Sequence, residues 1–417
     1  MMKFLRGMVV AVALLLFFPP AVCLYATENL SLNDAVRIAL QSNPEIHAAQ
    51  SAFDAANSRI LPAAALNDPL IEYEFDRITA DRGLSGDPMK TFSVSQDIPF
   101  PTKLYLRAKI ASRLAKMAFE NYQAKEREVV ARVKTAYAEL YLAEKTIAVT
   151  QENKILLKQL ADSAAGRYGM GRGTQADALK AQVEMAKVEA ELILLTQKKA
   201  TAAAKLNVLL NKGPGENPGV LEAEGPIVFD KTLAEYERLT AEHNPELKAY
   251  RYAMERGQAA YDLSRQEFIP DFNVRFRQMV DRGKAMDGAW AGMVGVTVPL
   301  WFLQKQVFVV KEMKSELDIV KAELDGKAKA VLYELHDDYN RVAANKQIVE
   351  MYEKVFLPQG QEAVAVELKG YESGTTDFVS LLDSQRMLIR FKIEHYQYIL
   401  ELRSALADLE RISGTYS

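Results

Sequence analysis

Four short stretches of the chain alternate apolar and polar residues with a period of two, and most of what lies between them follows a helical period. Ile71, Tyr73 and Phe75 alternate with Glu72, Glu74 and Asp76; Phe92, Val94, Gln96 and Ile98 alternate with Thr91, Ser93, Ser95 and Asp97. Further along, Phe272, Val274 and Phe276 alternate with Asn273, Arg275 and Arg277, and Trp290, Val294, Val296 and Val298 with Ala291, Met293, Gly295 and Thr297. The pattern predicts strands at about 70–77, 91–98, 271–279 and 289–298. Their length is close to that of a tilted membrane-crossing strand. Two soluble hairpins packed on helices would alternate in the same way. Charges at every second position, on the face a lumen would take, favour a barrel.

The segments after each strand pair are too long for the helices of an ordinary globular domain. Neither Gly nor Pro occurs between Lys103 and Gly166, a span of about 95 Å at ~1.5 Å per residue. A return helix is expected over 175–211. A second pair is expected over 304–369, with Pro358 as a kink, and over 378–412. Leu104, Ala108, Ala111, Ala115, Ala118 and Tyr122 step by four and three, as coiled-coil seams do. Leu388, Phe391, His395, Tyr398, Leu402, Ala405, Leu409 and Ile412 do the same. Alanine-rich seams let helix backbones approach closely.

The chain repeats itself. Ser31-Leu-Asn-Asp34 and Thr232-Leu-Ala-Glu235 lie 201 residues apart, each a Ser/Thr helix cap with an acid at the third helical position. At the same offset Asn43-Pro44-Glu45 matches Asn244-Pro245-Glu246, an Asn cap before a Pro at the first helical position. Pro69 matches Pro270 and Pro99 matches Pro299; Tyr168, Gly171 and Gln182 match Tyr371, Gly374 and Gln385. The expected layout is a leader at 1–26, a first copy at 27–211 with its hairpin at 103–211, and a linker at 212–230. A second copy follows at 231–413 with its hairpin at 304–412.

The start of the chain changes the compartment. Lys3 and Arg6 precede an uncharged apolar run from Met8 to Phe18, then Pro19-Pro20 and a small-residue zone, an export signal expected to be cut near Ala26. The run is too short to span a bilayer. Cys23, the single cysteine, is either a lipid-anchor site or a residue discarded with the leader; Val22 before it fits a lipoprotein site poorly and favours the second. With 52 Lys+Arg against 55 Asp+Glu the net charge is −3, which argues against a general nucleic-acid binder. A charged fraction of 26% is too high for a polytopic helical membrane protein. His47, His243, His336 and His395 lack the spacing of a metal pair; His395 falls in an apolar seam, where a hydrogen-bonded packing role is expected. The 14 Met are scattered and no nucleophile elbow appears. Neither an enzyme, a cofactor nor a metal site is expected.

These parts constrain one another. Four strands cannot close a membrane barrel, and open strand edges are not tolerated in lipid. Membranous strands must therefore be pooled by several chains. The helical hairpins, too polar for lipid, must extend from one barrel end into water.

The whole resembles the TolC-type outer-membrane efflux channels. The residues that carry the resemblance are Leu30 to Ala35 with Asn43-Pro44-Glu45, Thr232 to Tyr236 with Asn244-Pro245-Glu246, and the strand pairs closing at Pro99 and Pro299. Two Tyr-x-x-Gly-x10-Gln turns complete it, and it covers about residues 30–412. The stretch Val94 to Lys103 looks most like the heavy-metal-efflux branch. The resemblance implies a mainly α, tandem-duplicated fold with a small transmembrane β part. It implies a homotrimer in which each chain gives four strands to one twelve-stranded barrel, in outer-membrane lipid. A helical periplasmic tunnel would dock on an adaptor (membrane fusion) protein and an inner-membrane pump of RND or ABC type. The function implied is a passive exit duct for metal ions, drugs or other small molecules. Adaptor docking would fall on Tyr168, Gly171, Gly173 and Thr174 of one turn and Tyr371, Gly374 and Thr375 of the other. The family carries an aspartate pair near its periplasmic entrance. Asp383 matches its second member, and Ser380 stands where the first would be. A gate is expected around Asp177, Lys180, Ser380 and Asp383, with Lys180 of a neighbouring copy pairing Asp383. Other readings are the outer-membrane component of a type I protein secretion system, a periplasmic coiled-coil adaptor, and an exported helical scaffold or unusual hydrolase.

Overall fold

The computed structural model describes residues 29–76, 89–171, 173–223, 225, 227–280 and 289–414; the expected leader and Cys23 lie outside them. The chain opens with β1 (Asn29–Leu30), α1 (Leu32–Ser42), α2 (Pro44–Ser58) and α3 (Ile60–Ala64). Strands β2 (Leu70–Asp76) and β3 (Met89–Ile98) lead into α4 (Pro101–Gly169), which turns back as α5 (Gln175–Leu209). The second half follows the same order with β4 (Val220–Leu221), α6 (Leu233–His243), α7 (Pro245–Gln266), β5 (Asp271–Val280) and β6 (Trp290–Thr297). Then come α8 (Gln306–Met351), a π-helical turn (Tyr352–Phe356), α9 (Leu357–Ser373) and α10 (Phe378–Ser413). At 69 residues α4 is about 100 Å long. Among the described residues no helix is long and apolar enough to cross a membrane.

The caps form where polar residues can satisfy free helix-end donors. The Ser31 side chain accepts from Asp34 N, and Thr232 and Glu235 cap each other reciprocally. The two Asn-Pro pairs do more. Asn43 Oδ1 accepts from Glu45 N at 2.9 Å, while its buried amide donates to the Leu209 carbonyl at 3.0 Å, 166 residues away. Asn244 repeats this with Leu247 N and with the Ile412 carbonyl, both at 2.9 Å. Each Asn thus ties the start of its half to the end of that half's return helix.

Around these ties lie two corresponding cores. One packs Ala35, Ala39 and Ile46 against Val133, Tyr137 and Leu140 of α4 and Leu206 and Leu209 of α5. The other packs Tyr236 and Leu247 against Leu335 and Val342 of α8 and Leu402, Leu409 and Ile412 of α10. The Tyr137 hydroxyl lies 2.8 Å from both the Leu30 and the Glu222 carbonyls. It thereby holds the parallel β1–β4 pair, which joins the chain's start to the linker, against α4.

The four longer strands form one antiparallel sheet in the order β2-β3-β5-β6, so the two halves meet at β3 and β5. Register places Ile71, Val94, Phe276 and Gly292 in one row and Tyr73, Phe92, Gln278 and Trp290 in the next. This face is apolar and open: Ile71, Phe276, Trp290 and Val294 are 61–73% exposed. The opposite face carries Glu72, Ser93 and Arg277 in one row and Ser95 and Arg275 in another. Among the described residues both outer strands, β2 and β6, keep a free edge.

A buried lysine joins sheet to helices. Lys103, 1% exposed, donates to the Ile269 carbonyl at 2.8 Å and to Asp271 Oδ1 at 2.9 Å, the latter also accepting from Phe100 N. The copy-one helix is thereby fastened to the copy-two strand. Pro358 acts as expected at a kink. It lacks the N–H that would continue the helical ladder, and the π-helical turn just before it absorbs the break. Tyr352 of that turn packs on Phe356, Phe391, His395 and Tyr398. His395 itself reaches Glu353 at 3.3 Å and stacks on Tyr352, a packing role.

Replacing either Asn43 or Asn244 with Ala removes a cap and a buried amide bond, with an expected loss of about 2 kcal/mol. Asn43→Ser keeps the cap alone and is expected to lose about half of that. Denaturant midpoints of the detergent-purified protein would check both values.

Candidate functional site

Two hairpin turns close the helices at the end remote from the sheet, and the expected docking and gating residues cluster there. In the first turn Gly171 has φ +69, which favours glycine. At Gly173 a Cβ would sit 3.1 Å from Arg167 Cβ and 3.3 Å from the Tyr168 nitrogen, so the chain passes too close for a larger residue. Thr174 caps α5, accepting from Asp177 N at 3.2 Å, and Asp177 accepts in return from Thr174 N at 3.4 Å. In the second turn Gly374 has φ +78, and the Thr375 nitrogen and hydroxyl both donate to the Gly370 carbonyl, at 2.9 and 3.1 Å. Asp377 caps α10 by accepting from Ser380 N at 2.7 Å. That bond holds the Asp377 carboxyl below the usual carboxylate range.

Arg167 locks the turns together. Its guanidinium lies 4.5 Å over the Tyr371 ring and donates to the Tyr371 carbonyl. Tyr371 in turn packs on Phe378, in a core shared by Leu157, Leu160 and Ala181. The matching tyrosines therefore differ: Tyr168 is half exposed, whereas Tyr371 is 5% exposed. Within the chain Tyr371 holds the turn. Burial raises its hydroxyl pKa.

The gating residues separate too. Asp177 is spent as a cap, and Ser380 receives one. Asp383 pairs within its own helix with Arg386 at 2.9 Å. The same arginine crosses to Glu184 of α5 at 2.6 Å, and Glu184 also meets Lys187 at 2.8 Å. Within the chain the link between α5 and α10 is therefore Arg386–Glu184, not Lys180–Asp383. Lys180 lines a groove with Leu179, Val183, Glu184, Val379 and Leu382. Sequence reasoning missed Glu184 and Arg386. The spacing of three from Asp383 to Arg386 was readable as an ion pair; the reach across helices was not. Burial raises the Glu184 carboxyl, but its bonds to Arg386 and Lys187 outweigh burial and leave it lowered. Among the described residues no group of three or more His, Cys, Asp or Glu is placed to hold a metal ion.

An amphipathic sheet with two free edges, mounted on helical hairpins about 100 Å long whose two turns share one core, is the architecture of an outer-membrane channel subunit. The chain belongs to the outer membrane efflux protein family, which it matches over residues 35–212 and again over 238–415. It is 22% identical over 393 residues to the cobalt-zinc-cadmium resistance protein CzcC of Cupriavidus metallidurans, covering 93% of this chain and 91% of that one. It is 21% identical over 392 residues to the alkaline protease secretion protein AprF of Pseudomonas aeruginosa, covering 86% and 79%. The crystal structure of the outer membrane protein VceC from Vibrio cholerae superposes with a TM-score of 0.78 at 16% identity, covering 92% of this chain and 96% of that one. The family is one of channel proteins, and the protein resides in the outer membrane.

Because the folded Glu184 carboxyl titrates below its ordinary value of 4.5, the Arg386–Glu184 link contributes fully above that value and is lost as pH falls through the folded one. Arg386→Ala should speed hydrogen exchange in α5 near Glu184 at pH 7. As pH falls through the lowered folded value, the variant and the parent should converge.

Proposed function

We propose that three copies of this chain close one twelve-stranded barrel, whose helices continue as a tunnel and form a passive exit duct. The observation that carries this reading is the sheet. Its apolar face is open to lipid, its charged face suits water, and neither outer edge, of β2 or of β6, is paired among the described residues of the chain. Backbone groups at such edges each cost several kcal/mol in a bilayer, and four strands are too few to close. A ring of identical head-to-tail contacts satisfies every edge. The two copies proposed at 27–211 and 231–413 then alternate around the wall.

In this reading the turns at Gly171–Thr174 and Gly374–Thr375 receive a periplasmic adaptor protein, which hands over cargo from an inner-membrane pump. Tyr168 and Met170, 50% and 67% exposed, supply contact surface. Three Asp383 carboxylates, one per copy, stand near the mouth and disfavour anions there. The protein has no catalytic part; it conducts. CzcC is named for cobalt, zinc and cadmium resistance, which favours small cargo, metal ions included. AprF is named for protease secretion, which supports protein export as the second reading.

Two measurements test this. Mature protein in detergent should have three times the chain mass, and a folded detergent-solubilised monomer with intact strands would sink the reading. Replacing Gly171 and Gly374 together with Leu should abolish export while leaving trimers in the membrane. Asn at both sites, which tolerates positive φ, should keep export.

A further inference from the structure

The two halves of the chain also break their symmetry on the charged face of the sheet. At the 201-residue offset Glu74 corresponds to Arg275 and Asp76 to Arg277. The first strand of each hairpin therefore carries opposite charge. Strand β3, which lies between β2 and β5, presents Thr91, Ser93 and Ser95 there, each 5–6% exposed, and at its end Asp97, which accepts from Asn273 at 2.7 Å. Ser93 donates to Glu72 at 3.2 Å. Strand β6 presents Ala291, Met293, Gly295 and Thr297, opposite Arg277, Arg275, Asn273 and Asp271. Apart from Asp97 and Asp271 at the strand ends, the chain thus lays down an acidic strand, an uncharged one, a basic one and a second uncharged one.

On the far side of β6 the chain ends its sheet. On β5, one strand in from that edge, Arg275 Nε is buried with no hydrogen-bond partner, although a guanidinium ordinarily finds an acceptor. In the closed ring proposed above, β6 abuts β2 of the next copy. Strands lie about 4.8 Å apart, so Glu72 of the partner subunit and Glu74 of the partner subunit stand about 10 Å from the β5 arginines. Arg and Glu side chains together span such a distance over Ala291 and past the flexible Met293 of β6. Within the chain Glu72, Ser93 and Arg277 share one row across β3 in the same way.

We propose that Arg275 and Arg277 reach over β6 to Glu72 and Glu74 of the partner subunit, a lumenal belt of ion pairs that selects which sheet edges join. The inference rests on the trimeric barrel. The apolar outer face cannot make this choice, since any pairing of edges buries it equally. A β2–β2 joint would face Glu72 and Glu74 with their own copies, and like charges set opposite each other on neighbouring strands repel. Only β6 against β2 places acid beside base and leaves a contact that can repeat around a ring.

The experiment uses full-length chains purified in detergent and read by heat-resistant trimer on gels. One variant carries Arg275→Glu with Arg277→Glu; a second carries Glu72→Arg with Glu74→Arg. Each alone should lose most of the trimer, and a chain bearing all four changes should regain it. Separately tagged copies of the first two variants, expressed together, should be captured in mixed trimers far more than either forms alone. Repulsion within each chain persists in that mixture, so its recovery reports contact between copies. Trimer levels equal to the parent in the two-residue variants would overturn the belt and leave the barrel standing. So would failure of both the four-residue swap and the mixture to recover. A parent that is itself monomeric would overturn both.

Discussion

Backbone hydrogen bonding in lipid governs this molecule. A strand can enter a bilayer only if its N–H and C=O groups are all answered, and the sheet leaves two rows of them open. Everything else follows the need to present those rows in a fixed place. The sheet's polar face is built from Ser, Thr, Glu and Arg, and its register is set by pairing across the two halves. Lys103 is buried where the sheet meets the helices and binds an acceptor from the other half. A charge that deep persists only because both its carboxylate and its carbonyl partner are supplied. The junction therefore holds the strands at one height relative to the helical wall.

Much of this was legible in the sequence, because the informative signals are local. A Ser or Thr followed by an acid three residues later marks a helix start whatever the fold, and both such starts stand where the spacing put them. Period-two alternation located the strands, since each face meets a single environment. The absence of Gly and Pro announced the long α4, and Pro358 announced a break in its counterpart.

What could not be read depends on residues distant in the chain. The Asn of each Asn-Pro pair was readable as a cap, but its amide's bond to a carbonyl more than a hundred and sixty residues away was not. Sequence symmetry also misled at the tip. Tyr168 and Tyr371 occupy matching positions, yet one faces solvent and the other is core. Likewise Gln182 is exposed while Gln385 is buried and bonds Asn153. Duplication preserves the local chemistry of a turn; which copy faces inward is decided by packing that a repeat cannot encode. Arg386 belongs to the same class, being readable as a partner of Asp383 and invisible as a partner of Glu184.

The interruption before Pro358 gives the wall two members of unequal stiffness. α4 runs its full length as one unbroken rod, and a continuous hydrogen-bonded helix resists bending and transmits torque along its axis. The matching path through α8 and α9 contains a five-residue π-helical segment of wider cross-section, bedded among aromatic rings. Below it, Gly360 lets α9 lie against Leu388 and Phe391 of α10 with no side chain between them. Load applied at the turns therefore meets two unlike legs in one chain, a single continuous helix in the first half and an interrupted one in the second.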